Sequence, residues 1–213
     1  MNVKFTKRIL SGALAVALVM APSVGAFAST TSATAPATTQ TAAPVVVNPF
    51  KEYQTTSSVA GVKSEVAGSY LLQKGVGVAI TSKAASIAQS YGFAKGETPY
   101  AKVLDMDVKK SDKAKASLDF AAQAYGAENV AFLQMELGKM SKGQYTLLPG
   151  GVDIAVSFSI PKAALEDGAT YAVIRVVKGG EFTVLEDTDN DPTTVSFVTT
   201  GGAGAYSIIK YNK

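Results

Sequence analysis

Between Val152 and Ile160 every second residue is apolar and large: Val152, Ile154, Val156, Phe158 and Ile160 alternate with Asp153, Ala155, Ser157 and Ser159. Only an extended chain throws successive side chains to opposite faces, so this run reads as a strand with one face buried, and it commits the chain to a sheet. Further short β-type runs follow, from Tyr171 to Val177, Phe182 to Leu185, Thr194 to Thr199 and Ala205 to Tyr211. Lys178-Gly179-Gly180 reads as a tight hairpin turn between two of them. Short strands with turn signals at this spacing predict an antiparallel, β-sandwich-like region over 144–213.

The preceding stretch, 50–143, mixes the two periodicities. Ser69 to Ile80 is an apolar, β-leaning run, after which Thr81-Ser82 offers an N-cap for a short helix with Ala84, Ile87, Ala88 and Tyr91 on one face, closed by Gly92. Tyr100 to Val108 alternates, with Leu104, Met106 and Val108 on one face and Val103, Asp105 and Asp107 on the other, and reads as a half-buried strand. Ser111 caps a second helix whose stripe is Ala114, Leu118, Ala121, Ala122 and Tyr125, with Gly126 in the position where a left-handed residue ends a helix. Val130 to Leu137 is the next strand, burying Leu133, Met135 and Leu137. The region therefore reads β-α-β-α-β, and the whole chain as α+β. Ala88-Gln89-Ser90-Tyr91-Gly92 echoes Ala122-Gln123-Ala124-Tyr125-Gly126. Strands separated by helices suggest crossover connections over one sheet.

Residues 1–28 have the form of a secretory signal peptide: Lys4, Lys7 and Arg8, an apolar run from Ile9 to Met20, and Ala26-Phe27-Ala28 as the cleavage site. Residues 29–48, Thr, Ala, Ser and Pro without charge, are a disordered tether by composition. The leader holds three of the 20 basic residues and none of the 17 acidic ones, which leaves the mature chain at 17 against 17. Such a balance lacks the basic footprint of a nucleic-acid binder, and no second long apolar segment predicts a membrane span. The chain has no histidine, cysteine or tryptophan. The commonest general base, the thiolate nucleophile and the imidazole and thiolate metal ligands are thereby unavailable, as is any disulfide framework.

Two groups of carboxylates remain as candidates for chemistry. Asp187, Asp189 and Asp191 alternate within Glu186-Asp187-Thr188-Asp189-Asn190-Asp191, the opening pattern of an oxygen-ligand calcium loop. Pro192 occupies the place of the loop's glycine and Val198 that of its bidentate glutamate, which excludes an EF-hand and leaves a looser calcium site or a plain acidic turn. Asp105 and Asp107 share a strand face and could act with a partner as an acid–base pair on a glycan. Tyr91, Tyr125 and Tyr145 could present rings to a ligand, although an apolar helical stripe assigns Tyr91 and Tyr125 to the core. Ser159-Ile160-Pro161-Lys162 has the Ser-x-x-Lys spacing of an acyl-transfer site without its companion motifs, and reads as a strand end.

Phe158-Ser159-Ile160-Pro161, then Tyr171-Ala172-Val173-Ile174-Arg175-Val176-Val177, Thr183-Val184-Leu185, Thr194-Val195-Ser196-Phe197 and Ala205-Tyr206-Ser207-Ile208 resemble, in this order, a C-terminal β module of secreted and cell-surface proteins of Gram-positive, clostridia-like bacteria. That module ends in a Phe-Ser-Thr-Tyr-like strand, where this chain has Gly202-Ala203-Gly204-Ala205-Tyr206. The resemblance implies an extracellular scaffold role and brings no catalytic residues. Together these readings lead to the expectation of a secreted, non-catalytic binding or surface protein with an extracellular protein or glycan as partner. A carboxylate-dependent extracellular hydrolase is the alternative.

Overall fold

The computed structural model describes residues 57–73 and 75–212, so the leader, the tether and the segment up to residue 56 lie outside the described residues. In chain order the elements are β1 (Ser58–Val59), β2 (Val62–Lys63), β3 (Gly68–Leu71), β4 (Val78–Ile80), α1 (Ala84–Ser90), β5 (Glu97–Asp105), α2 (Asp112–Ala124), β6 (Ala127–Ser141), β7 (Gln144–Leu147), β8 (Asp153–Ser159), a 3-10 turn (Lys162–Ala164), β9 (Tyr171–Val176), β10 (Phe182–Glu186), β11 (Thr194–Thr200) and β12 (Gly202–Tyr211). The fold is thus β-rich α+β.

β1 and β2 form a small hairpin, and the other strands make two sheets. The larger has seven strands in the order β10-β9-β12-β6-β5-β3, with β7 on the end of β6; the smaller has the order β11-β8-β4. One core lies between the two sheets. It joins Tyr70, Val103, Leu133, Met135, Val173, Tyr206 and Ile208 of the large sheet to Val78, Ile80, Ile154, Val156, Phe158, Val195 and Phe197 of the small one. Phe158 is its centre, with ring centroids 4.8 Å from Phe197 and 6.0 Å from Tyr206. A second core on the opposite face of the large sheet packs Leu118, Ala121 and Ala122 of α2 against Ala172, Ile174, Val176, Ala205 and Ile209. Because β9 and β12 are covered on both faces, they are apolar almost continuously rather than alternately.

Several expectations are corrected. Ser69 to Ile80 is two strands rather than one: the chain turns at Gly75 (φ 78°), sending β3 to the large sheet and β4 to the small one. Along this run Ala101 and Val103 are fully buried in the inter-sheet core and Met106, just beyond β5, is fully buried in the α2 core, whereas Leu104 is half-buried. Both faces of this strand are partly covered, so alternation alone does not say which is inside. β5 and β6, joined through α2, pair antiparallel from Glu97↔Ser141 to Asp105↔Leu133 instead of forming a parallel crossover. Among the described strands, β3 and β5 are the one parallel pair.

The two Tyr-Gly helix ends share a geometry, with Gly92 and Gly126 at φ 63° and 64°. They share no location, since α1 packs on the inter-sheet core through Ile87 while α2 lies across the other face. The 143/144 division falls in the β6–β7 turn, where Gly143 has φ 78°, and each sheet takes strands from both sides of it. Ser82 does not cap α1, whose N-cap is Lys83; its hydroxyl instead accepts the Ala155 N–H at 2.8 Å and ties α1 to β8.

Candidate functional site

The acidic loop is held by its own carboxylates. Asp187 Oδ1 accepts the N–H of Ser196 (2.9 Å) and of Asp189 (3.2 Å), Asp189 Oδ1 accepts that of Asp191 (2.8 Å), and Asp191 Oδ1 accepts both the N–H and the hydroxyl of Thr193 (2.9 and 2.7 Å). Each aspartate caps the turn that follows it, the local hydrogen bonding that suits Asp to loops. The Thr193 hydroxyl and N–H hold the Asp191 carboxyl below its usual range. Among the described residues no group of three or more acidic side chains is disposed to hold a metal ion, so the calcium pattern of Asp187, Asp189 and Asp191 is not gathered into a site.

Asp105 and Asp107 are also apart in role. Asp105, the last residue of β5, accepts the Gln73 N–H at 2.6 Å and helps hold the end of β3. Asp107 is exposed beyond the strand, where the Lys109 N–H and then Lys110 lower its carboxyl below the usual value. Neither lines any of the three clefts described for this molecule, nor do Asp187, Asp189 or Asp191. Ser159 is engaged as the acceptor of the Gly77 N–H, in keeping with a strand end.

The three tyrosines separate. Tyr91 is a corner post: its hydroxyl donates to Pro149 O (2.9 Å) and accepts the Gly201 N–H (3.2 Å). Tyr145 lies flat across β6, where a Cβ on Gly138 would run into its ring, and Lys102 Nζ covers it 3.7 Å from the centroid. Neither face of that ring is open to a sugar. Tyr125, assigned by its helical stripe to the core, is instead 50% exposed; with Phe120 (61%) it flanks Phe182 at centroid distances of 6.4 and 6.3 Å.

A cleft of about 590 Å³, larger than the other two clefts of about 10 and 420 Å³, lies on the α2 side of the large sheet. Its floor is Leu104 of β5, Gln134 and Glu136 of β6, Val176 of β9 and Ala203 to Ala205 of β12. Register explains its depth: Ala203 and Ala205 pair with Glu136 and Gln134, so the middle of the sheet carries methyl groups where bulkier side chains would fill the space. The first turns of α2 (Lys113, Ala114, Ser117) form one wall and the β9–β10 turn (Val177 to Gly180) the other. That turn needs both glycines, at φ 105° and 86°, and brings Gly180 close to the Ser117 hydroxyl. On the reverse face Gly204 leaves room for Arg175, which reaches Thr200 Oγ1 (2.8 Å) and Gly201 O (3.1 Å) and pins the start of β12.

Two cations, Lys113 and Lys178, stand at the rim, and neither forms an ion pair among the described residues. The single carboxylate among the described lining residues, Glu136, faces Lys102 at 3.8 Å. Among the described residues no aromatic side chain lines the cleft. Sequence reasoning found the hairpin turn but missed the site. The available signal was Gly202-Ala203-Gly204-Ala205, a strand start without bulk ahead of the buried stretch Tyr206 to Ile209.

Comparison with known proteins gives no matching family model, no matching curated protein and no matching solved structure. No helix among the described residues is long and apolar enough to cross a membrane.

Proposed function

We propose that the chain is an exported, non-catalytic binding protein that takes its ligand in the cleft between α2 and the β9–β10 turn. The cleft is the observation that carries this reading: its volume of about 590 Å³ falls within the range of small-molecule sites, and it combines apolar floor residues, Leu104, Val176, Ala203 and Ala205, with a few polar side chains, Gln134 and Glu136 on the floor and Lys113, Ser117 and Lys178 on the walls. The pattern of residues 1–28 supports export, and the strand order from Phe158 to Ile208, which resembles a secreted surface module, agrees with it.

Fractionation with N-terminal sequencing tests export; the expected product lies outside the cell and begins at Ser29, whereas a cytoplasmic product that keeps its leader overturns it. Native mass spectrometry of the recovered protein tests the site. A small-molecule adduct is expected on the wild type and not on Ala203→Trp, which fills the floor from an exposed position. An adduct that persists in that variant contradicts the assignment of the cleft.

A further inference from the structure

We propose that the cleft selects an amphipathic anion: a single-chain molecule with an apolar body and one carboxylate at its head. The inference rests on the reading of the cleft as the binding site and adds the chemistry of its ligand. Leu104, Ala114, Val176, Ala203 and Ala205 offer the body a surface of methyl and methylene groups, which favours an occupant that leaves water with its own apolar area. Lys113 and Lys178 come from opposite walls, one from the helix and one from the hairpin. Flexible stems let both ammonium groups reach a head group at the mouth. Since Glu136 is already answered by Lys102, the rim presents two positive charges that are unpaired among the described residues, and a carboxylate there is matched without displacing an ion pair of those residues. The Ser117 hydroxyl already donates to Lys113 O (3.1 Å), so beside the two lysines it is the β9–β10 turn that adds backbone groups at the same mouth. Among the described residues no ring lines the cleft to stack on a neutral sugar, so the charge at the rim and the methyl-rich part of the floor together point away from a glycan and toward an amphiphile.

The test is a titration of the full chain with decanoate, kept below its micellar range, and in parallel with decanol, followed by amide chemical shifts. Saturable shifts at Val176 to Gly180 and Ala203 to Ala205 are expected with both. Decanoate should bind more tightly than decanol and lose that advantage as salt is raised, because exposed charges are screened. Exchanging both cations, Lys113→Glu with Lys178→Glu, should weaken decanoate by about tenfold and leave decanol within twofold. Ala203→Trp should block both probes. Decanol bound in the cleft with no preference for decanoate overturns the anion inference and leaves the binding site standing. Decanoate shifts confined to other surfaces, the absence of saturable shifts, or undiminished decanoate affinity in the double exchange also overturn the inference.

Discussion

Gly201→Ala tests the corner where three distant segments meet. No left-handed backbone is required at this glycine; it is there for space, because an added Cβ would run into the Tyr91 hydroxyl and lie 2.5 Å from Pro149 O and 2.9 Å from Leu148 Cβ. The hydroxyl can move aside, but the Pro149 carbonyl belongs to the backbone and cannot follow cheaply. The cost should therefore reach the upper part of the overpacking range, about 3 kcal/mol. Tyr91→Phe removes the donor to Pro149 O and the acceptor of the Gly201 N–H, two hydrogen bonds worth about 1 kcal/mol each. In the double variant one of the clashing atoms is gone and the hydrogen bonds are already lost, so the combined cost should be about 1 kcal/mol less than the sum. Urea unfolding of the four proteins gives these differences from midpoints at constant slope. Additivity within about 0.5 kcal/mol, or a Gly201→Ala chain as stable as the wild type, would refute the geometry assigned to this corner.

Three other outcomes follow from the same structure. Phe158→Ala, at the centre of the inter-sheet core and fully buried, should cost about 3–5 kcal/mol in denaturant unfolding, whereas Phe120→Ala on the exposed flank of α2 should stay within about 0.5 kcal/mol of wild type. Burial pushes the Tyr70 hydroxyl, bound to Val66 O and Ser64, up to about 12. A proton held more tightly in the folded state means that stability is intact below pH 10 and lost between pH 10 and about 12. The loss approaches about 3 kcal/mol, and alkaline melting curves of Tyr70→Phe should lack that contribution. Millimolar calcium should leave the melting temperature unchanged, because Asp187, Asp189 and Asp191 are each spent on backbone N–H groups; a saturable rise that disappears in Asp189→Ala would show that they regroup around an ion.

The elements were legible where one physical signal acted alone. β8 has one face in the inter-sheet core and the other more open, and its alternation from Ile154 to Phe158 placed it correctly. α2 likewise followed its stripe through Leu118, Ala121 and Ala122 to Gly126. Where two layers cover one strand the signal cancels: Val103 and Met106 both find cores, on opposite faces of the sheet, and the choice between them is made by partners far away in the chain. Pairing of β12 with both β6 and β9 is of the same kind, since nothing local to Gly202–Tyr211 names its neighbours.

Tyr125 shows the limit of the helical stripe: the last turn of α2 runs past the edge covered by the sheet and leaves the ring beside Phe182. The carboxylates were conspicuous in sequence; Asp107, Asp187, Asp189 and Asp191 cap the turns that follow them, and Asp105 ties β5 to the end of β3. The cleft was inconspicuous because it is made by what is small, Ala203 and Ala205, and by two lysines 65 positions apart in a chain that has many.

The central claim, that the cleft under the first turns of α2 is where this protein binds, is tested most directly by an amide-shift screen of the full chain against small-molecule fragments covering anions, amphiphiles, sugars and neutral aromatics. The account predicts that saturable shifts concentrate at Val176 to Gly180 and Ala203 to Ala205, with anionic amphiphiles foremost. Hits that gather at Phe120, Tyr125 and Phe182, or along Glu186 to Asp191, with the cleft residues unmoved, would contradict it.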